Sequence, residues 1–130
     1  MIKLSLPIYW EQEFKTKPNK FHLVGLNQLF HMHYQVRNKL KQEFHKLVVA
    51  QITNQKITGP FTVEYNLYYK NINSDPGNII AGIEKVLLDG LQECNAIEQD
   101  NPKYHKGTSW QVIGQDKTNP RIEILIKPIK

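Results

Sequence analysis

The chain has 130 residues, 40% of them hydrophobic, and its 17 Lys and Arg residues against 12 Asp and Glu give a formal charge of +5 at pH 7. A domain of this length and composition buries a core without disulfides or structural metals, and a single cysteine rules out an intramolecular disulfide. No segment has the pattern of a signal peptide or a membrane span, so we expect a cytoplasmic protein with no membrane partner. The positive charge favours an anionic partner such as nucleic acid, although it is equally typical of basic soluble proteins with no such partner.

The N-terminal part of the chain predicts a strand followed by a loop. Residues 2–8 alternate apolar with polar side chains, the pattern of a half-buried strand, and Pro7 indicates a sheet edge or the end of that strand. Residues 11–25 are polar and contain Pro18, which predicts a loop. This loop carries three lysines, Lys15, Lys17 and Lys20.

Residues 26–51 have apolar side chains three or four positions apart, which predicts one long helix with His33 on its buried stripe. On another flank of this helix Arg37, Lys41 and His45 stand four positions apart and form a basic row. Two interpretations of the row are open. It is either an ordinary solvated helix face or a row that binds phosphates.

The second half of the chain predicts a strand, a helix and two further strands. Residues 61–69 alternate as a strand, the turn-forming run NSDPGN ends it, and residues 79–94 return to helical spacing with Asn78, or alternatively Asp75, as N-cap. The runs TSWQVIG and RIEILIKPI alternate as the last two strands, and Trp110 in the first fits sheet packing or, as the alternative, stacking on unpaired bases. The order β-α-β-α-β-β predicts one α+β domain over 1–130, with two helices packed on a mixed four- to five-stranded sheet.

Acidic residues flank the second predicted helix at both ends. Asp75 precedes it, Glu98 and Asp100 follow it, and Lys85 and Asp89 share an exposed face of it. If the next strand runs back beside the preceding one, these carboxylates converge, and converging carboxylates with a lysine are typical of Mg²⁺-dependent phosphodiester cleavage. The alternative is that Lys85 and Asp89 form an ordinary surface ion pair without function.

An ordered set of motifs carries a family resemblance. The run SDPGNIIAGIEKVLLDGLQECNAIEQD, a following Trp and the run DKTNPRIEILI resemble the RusA-like Holliday junction resolvases, in particular the phage and prophage forms, over roughly residues 61–127. The basic segment LNQLFHMHYQVRNKLK looks like the first helix of that family. The resemblance implies a homodimeric endonuclease of DNA recombination and repair. Such an enzyme uses Mg²⁺, or Mn²⁺, to cut branched DNA such as four-way junctions by paired strand nicks.

The resemblance also implies roles for individual residues. Asp75 and Asp100 match metal ligands of the family, Asn78 matches its asparagine, and Lys85 and Asp89 match the lysine and aspartate of its helix. Asp75, Lys85, Asp89 and Asp100 are therefore the expected catalytic residues. The expected DNA contacts are phosphate contacts that position the DNA without reading its sequence, made by Lys15, Lys17, Lys20, Arg37 and Lys41.

Gly77 departs from the family pattern, because it occupies the place of a second aspartate that ligates the metal. Losing this carboxylate removes one ligand and one negative charge from a Mg²⁺ site, although water can fill the position. Glu98, Asp89 and Glu84 are the candidates to substitute for it. The alternative function is therefore a catalytically weakened or inactive RusA-like protein that only binds branched DNA.

Overall fold

A computed structural model describes residues 1–52 and 54–129 of the chain. The described elements confirm the predicted α+β class. In chain order they are β1 (Ile2–Pro7), β2 (Tyr9–Gln12), β3 (Lys20–Leu23), α1 (Leu26–His31), α2 (Tyr34–Ile52), β4 (Phe61–Tyr69), α3 (Pro76–Glu93), β5 (His105–Gln115) and β6 (Arg121–Pro128).

Four of the strands form one mixed sheet, in the spatial order β1-β6-β4-β5. β6 pairs antiparallel with both β1 and β4, whereas β4 and β5 pair parallel. α3 is the crossover between these two parallel strands, as parallel neighbours require. β1 lies at one edge of the sheet, in agreement with the position of Pro7.

The loop predicted over 11–25 is confirmed for residues 13–19 and wrong for 11–12 and 20–23, which belong to the strands of a β-hairpin. β2 and β3 pair antiparallel as a separate two-stranded sheet, with Tyr9 opposite Leu23. Trp10 anchors the hairpin: its side chain is buried, and its indole N–H donates to the Glu43 carboxylate on α2. Apolar residues on both sides of the polar middle, Tyr9 and Trp10 before it and Phe21 and Leu23 after it, therefore form the strands, and residues 13–19 are the loop between them.

The single helix predicted over 26–51 is interrupted at Met32, whose extended backbone ends α1. His33 then precedes α2, and its ring Nδ1 accepts a hydrogen bond from the backbone N–H of Gln35 at 3.2 Å. His33 is exposed, so its prediction as a buried residue is wrong. A side chain that bonds a free N–H at a helix start favours a new helix over continuation of the old one.

The core lies between the sheet and the helices α2 and α3. Alternate residues of β4 and β6 point into it, and the predicted stripe of α3 is buried. The buried side chains include Phe61, Val63, Tyr65, Leu67, Ile122, Ile124 and Ile126 from the sheet and Leu40, Phe44, Val48, Ile80, Ile83, Leu87 and Leu91 from the helices. Among the described residues, no helix combines the length and the apolar character needed to cross a membrane.

Candidate nucleic-acid interface

The N-terminus of α3 is capped by Asp75 rather than by Asn78. Asp75 has an extended backbone, its Oδ1 accepts from the backbone N–H of Asn78 at 3.3 Å, and Pro76 occupies the first helical turn. An aspartate cap followed by proline suits a helix start, because the free N–H groups and the helix dipole both favour a carboxylate there. Asp75 therefore has a structural role in addition to any catalytic one.

Asn78 instead connects α3 to α1. Its Oδ1 accepts from the backbone N–H of Asn27 at 2.9 Å, and its Nδ2 donates to Oε1 of Gln28 at 2.9 Å. The N-cap residue of α1 is Gly25, which has no side chain to bond the free N–H groups of that helix. Asn78 supplies this bond from another helix, which fixes α1 against the start of α3.

Gly77 is exposed and leaves room for a larger residue. A Cβ atom built at this position would meet only the Oδ1 of Asp75, at 3.5 Å, which is an ordinary van der Waals contact. The first turn of a helix also favours a carboxylate. An aspartate at position 77 would therefore fit the fold, so packing does not explain the glycine.

The structure does not bring Asp75 and Asp100 together. Asp75 follows the C-terminal end of β4, whereas Asp100 precedes the N-terminal end of β5, and these two strands run parallel. The two residues therefore lie at opposite ends of α3, whose 18 residues make it about 27 Å long. The predicted convergence within one chain is wrong because it required β5 to run back along β4.

Within residues 1–52 and 54–129, no three His, Cys, Asp or Glu side chains are grouped so that they could hold a metal ion. The Mg²⁺ implied by the resemblance does not fit a site built from one chain.

The remaining expected catalytic residues, Lys85 and Asp89, lie on α3. Lys85 is exposed. Asp89 has its Oδ2 3.8 Å from Nζ of Lys41 on α2, so the surface pair predicted between Lys85 and Asp89 is replaced by a pair between two helices. Glu98 is exposed in the loop after α3.

The basic row on α2 follows the boundary with the neighbouring helices. A guanidinium nitrogen of Arg37 donates to the backbone oxygen of Leu29 at 3.3 Å. Lys41 pairs with Asp89, and Nδ1 of His45 lies 3.0 Å from Oε2 of Glu93 on α3. Partly exposed pairs of this kind contribute about 0–1 kcal/mol each. The row is thus neither a bare solvated face nor a free row of cations, because Arg37 and Lys41 already have partners and the His45 ring lies against Glu93.

The lysines of the β2–β3 hairpin are differently placed. Lys15, Lys17 and Lys20 are all exposed. The loop that carries the first two is held by Asn19, whose side chain donates to Glu11 at 2.8 Å and accepts from the backbone of Phe14 at 3.4 Å. The hairpin therefore presents two exposed cations on a loop held by hydrogen bonds and a third at the start of β3.

A pocket of about 380 Å³ lies between this hairpin and the helices α1 and α2. Its lining contains no carboxylate and consists of Gln12, Lys20, His22, Gln28, His31, Met32, His33 and Val36. Burial, followed by the charge of Lys20, lowers the pKa of His22 below its usual value of 6.5. The lowered pKa follows mainly from desolvation of the ring, which disfavours its charged form.

The pocket adjoins the start of α3, because Gln28 lines the pocket and also accepts a hydrogen bond from Asn78. Lys20 and the motif residue Asn78 therefore belong to one continuous surface. We call this surface the hairpin–α3 surface, defined by Lys15, Lys17, Lys20, the pocket lining, Asp75 and Asn78. Sequence reasoning missed the three histidines of the pocket, because they come together only through the hairpin and the break between α1 and α2.

A second polar group surrounds Glu84 on α3. Its Oε2 accepts from the hydroxyl groups of Tyr65 and Thr108, each at 2.8 Å, and its Oε1 lies 4.0 Å from Nε2 of His105. Burial, with a further contribution from Glu84, raises the pKa of Tyr65 well above its usual value of 10.0. No sequence pattern indicated this group, since its members come from three separate elements.

The raised pKa of Tyr65 predicts a loss of stability at alkaline pH. Above about pH 10 the tyrosine ionises in the unfolded chain before it ionises in the folded one, so the free energy of unfolding falls as pH rises. Urea unfolding at neutral pH and above pH 10 would compare the wild type with Tyr65→Phe. We expect the phenylalanine variant to lose about 1–2 kcal/mol at neutral pH and to show a shallower alkaline decline. Equal alkaline slopes for the two proteins would contradict the prediction.

Comparison of the chain with protein-family models gives no match, and comparison with curated protein sequences gives none either.

Proposed function

We propose that this protein is a RusA-like, Mg²⁺-dependent endonuclease that acts as a homodimer on branched DNA such as four-way junctions. The support from sequence is the ordered set of motifs that begins at Asp75 and continues through Lys85, Asp89 and Asp100. The support from structure is the arrangement of these motif residues in the fold. They lie along a single β4-α3-β5 unit, and the start of α3 adjoins the hairpin–α3 surface.

The observation that carries the proposal is the carboxylate-free pocket of the hairpin–α3 surface. A DNA backbone needs donors and cations without competing carboxylates, and the pocket offers Lys20 and three histidines beside two exposed lysines of the hairpin. Asn78 links this pocket to the end of α3 that carries Asp75. Contacts of this type recognise the shape of a junction, because they reach phosphates and not base edges.

The homodimer is a necessary part of the proposal. Asp75 and Asp100 lie at opposite ends of α3, so a metal site that uses both must take them from two chains. Of the carboxylates considered as replacements at position 77, Glu84 is held by Tyr65 and Thr108, and Asp89 is paired with Lys41. Glu98 is the exposed candidate among them.

A second candidate function is binding of branched DNA without cleavage. The observation that favours it is Gly77, which stands where the family has a ligand although an aspartate would fit. In this case Asp75 keeps only its role as the cap of α3. The hairpin–α3 surface would serve both functions equally, so binding alone does not separate them.

The proposal is tested first by binding to a labelled four-way junction at several salt concentrations. Changing Lys15, Lys17 and Lys20 together to glutamine should weaken binding and lower the slope of log K against log salt concentration by about 2.7, since each lost phosphate contact contributes about 0.9. A matched control changes three other exposed lysines, Lys39, Lys46 and Lys56, and should keep the wild-type slope. No junction binding by the wild type, or equal losses in both triple variants, would contradict the proposed DNA surface.

Cleavage of the same junction separates the two candidate functions. The endonuclease should nick two strands symmetrically with Mg²⁺ or Mn²⁺ and stay inactive with a chelator. Binding without cleavage in either metal would support the second candidate instead.

A further inference from the structure

β5 is the longest described strand and lies at an edge of the four-stranded sheet. Three large apolar side chains on it remain exposed: Trp110 at 45%, Val112 at 42% and Ile113 at 48%. Trp110 and Val112 pair with Tyr65 and Leu67, which are fully buried, so they stand on the core face of the sheet but outside the cover of the helices. Trp110 is therefore not packed within the sheet as the sequence predicted.

The opposite edge of the sheet, β1, is protected against pairing with a further strand. On β1 the backbone N–H of Ser5 donates to Oε1 of Gln51 on α2, and Nε2 of Gln51 donates back to the Ser5 oxygen, both at 2.8 Å. Pro7 lies on the same strand. A side chain that occupies the edge and a proline are both devices that prevent pairing with another strand. Within the described residues β5 has neither device, although it is the more apolar edge.

We propose that β5 pairs antiparallel with β5 of a second copy, about a two-fold axis at Gln111, and so joins two sheets into one. In this register Trp110 lies opposite Val112 of the second copy, which buries both exposed side chains as a cross-strand aromatic–aliphatic pair. The pairing also satisfies backbone groups along the edge. A two-fold axis makes every contact twice, so a short strand supplies a self-complementary interface.

The pairing of apolar side chains selects this register over its neighbours. An axis at Val112 would place Trp110 opposite Gly114, and an axis at Trp110 would place Val112 opposite Thr108, so neither forms the aromatic–aliphatic pair. Asp116 takes no part in the selection, because its carboxylate already pairs with Arg121 at 2.9 Å. This interface specifies how the homodimer of the proposed function forms, and it rests on the proposed function only in assuming a dimer. A nuclease of this kind can also dimerise through another surface.

The first test measures mass in solution by sedimentation, without DNA or metal. Val112→Lys places a charge opposite Trp110 of the second copy and should convert a dimer into a monomer, with at least a 100-fold rise in the dissociation constant. Val49→Lys is the matched control, because Val49 on α2 is 43% exposed against 42% for Val112. It should leave the dimer intact.

The second test fixes the register by cysteine cross-linking in a Cys94→Ala background. Gln111→Cys places two cysteines across the axis, where facing Cα atoms lie about 4.5–5.5 Å apart and a disulfide can form. Ser109→Cys is the control on the same face of the same strand. Its two copies would be about 13 Å apart, too far for a disulfide. We expect cross-linked dimer only from Gln111→Cys.

Three results would overturn the interface: a wild type that is monomeric at micromolar concentrations, a dimeric Val112→Lys variant, or equal cross-linking at positions 109 and 111. A dimeric Val112→Lys variant that loses junction binding would assign β5 to DNA instead. Failure of the proposed function looks different, since a dimer that neither binds nor cuts junctions would keep the interface and refute the nuclease.

Discussion

Replacing Gly82 with alanine is expected to destabilise the protein by about 3 kcal/mol, the largest loss that we predict for a single methyl group. A Cβ atom at this position would lie 2.5 Å from the oxygen of Val24 and 2.6 Å from the backbone carbon of Gly25. Both are backbone atoms, which cannot rotate away as a flexible side chain does. The substitution must therefore push α3 away from the segment that leads into α1.

The displacement of α3 would also disturb the hairpin–α3 surface. Gly82 lets α3 approach the Val24–Gly25 segment closely, and this approach places Asn78 within reach of the first turn of α1. Moving α3 away from the Val24–Gly25 segment would break the Asn78 bonds to Asn27 and Gln28 and open the pocket beside Lys20. We therefore expect Gly82→Ala to lose junction affinity as well as stability, even though the residue is buried.

Gly90 provides the matched control on the same helix. The three atoms nearest to a Cβ atom there are side-chain atoms of Val48, the nearest at 3.5 Å, which is ordinary contact. Gly90→Ala should stabilise the protein by about 0.5–1 kcal/mol, because alanine restricts the unfolded chain and favours helix. Urea unfolding of the two variants measures the difference directly. If Gly82→Ala were as stable as Gly90→Ala, the close approach would not constrain the fold.

Much of the fold could be predicted because local periodicity decides it. The strand at Phe61–Tyr69 and the helix with Ile80, Ile83, Leu87 and Leu91 buried follow directly from spacings of two and of three to four. The hairpin could not be predicted in the same way. Its polar middle resembles a loop, and the buried Trp10 that anchors it has its partner Glu43 on a distant helix.

The candidate site was harder to predict, because it depends on the direction in which one strand runs. Alternation identifies β5 but does not say whether it lies parallel or antiparallel to β4. The parallel pairing moves Asp100 to the end of α3 opposite Asp75 and removes the expected single-chain metal site. For the same reason the pocket histidines could not be foreseen, since His22 and His31 come from separate elements joined only by tertiary packing.

Asp75→Asn is expected to lower junction cleavage by at least about 100-fold, equivalent to about 2.7 kcal/mol of transition-state stabilisation, while leaving the fold intact. Asparagine caps a helix about as well as aspartate, so the bond to the backbone N–H of Asn78 is kept and only the charge is lost. Asp75→Ala removes the cap as well and should cost about 1 kcal/mol of stability in addition. Comparing the two variants separates the structural role of Asp75 from the catalytic one.

Gly77→Asp completes the experiment by adding a carboxylate where it fits. If the wild type is an active nuclease, Asp75→Asn abolishes cleavage and Gly77→Asp preserves or raises it, with junction affinity unchanged in both. If the wild type is inert and Gly77→Asp alone produces symmetrical nicks, the protein is a binding-only relative whose lost ligand has been restored. Cleavage by Asp75→Asn at the wild-type rate would show that Asp75 serves only as the cap of α3, and the start of this helix would then have no part in catalysis.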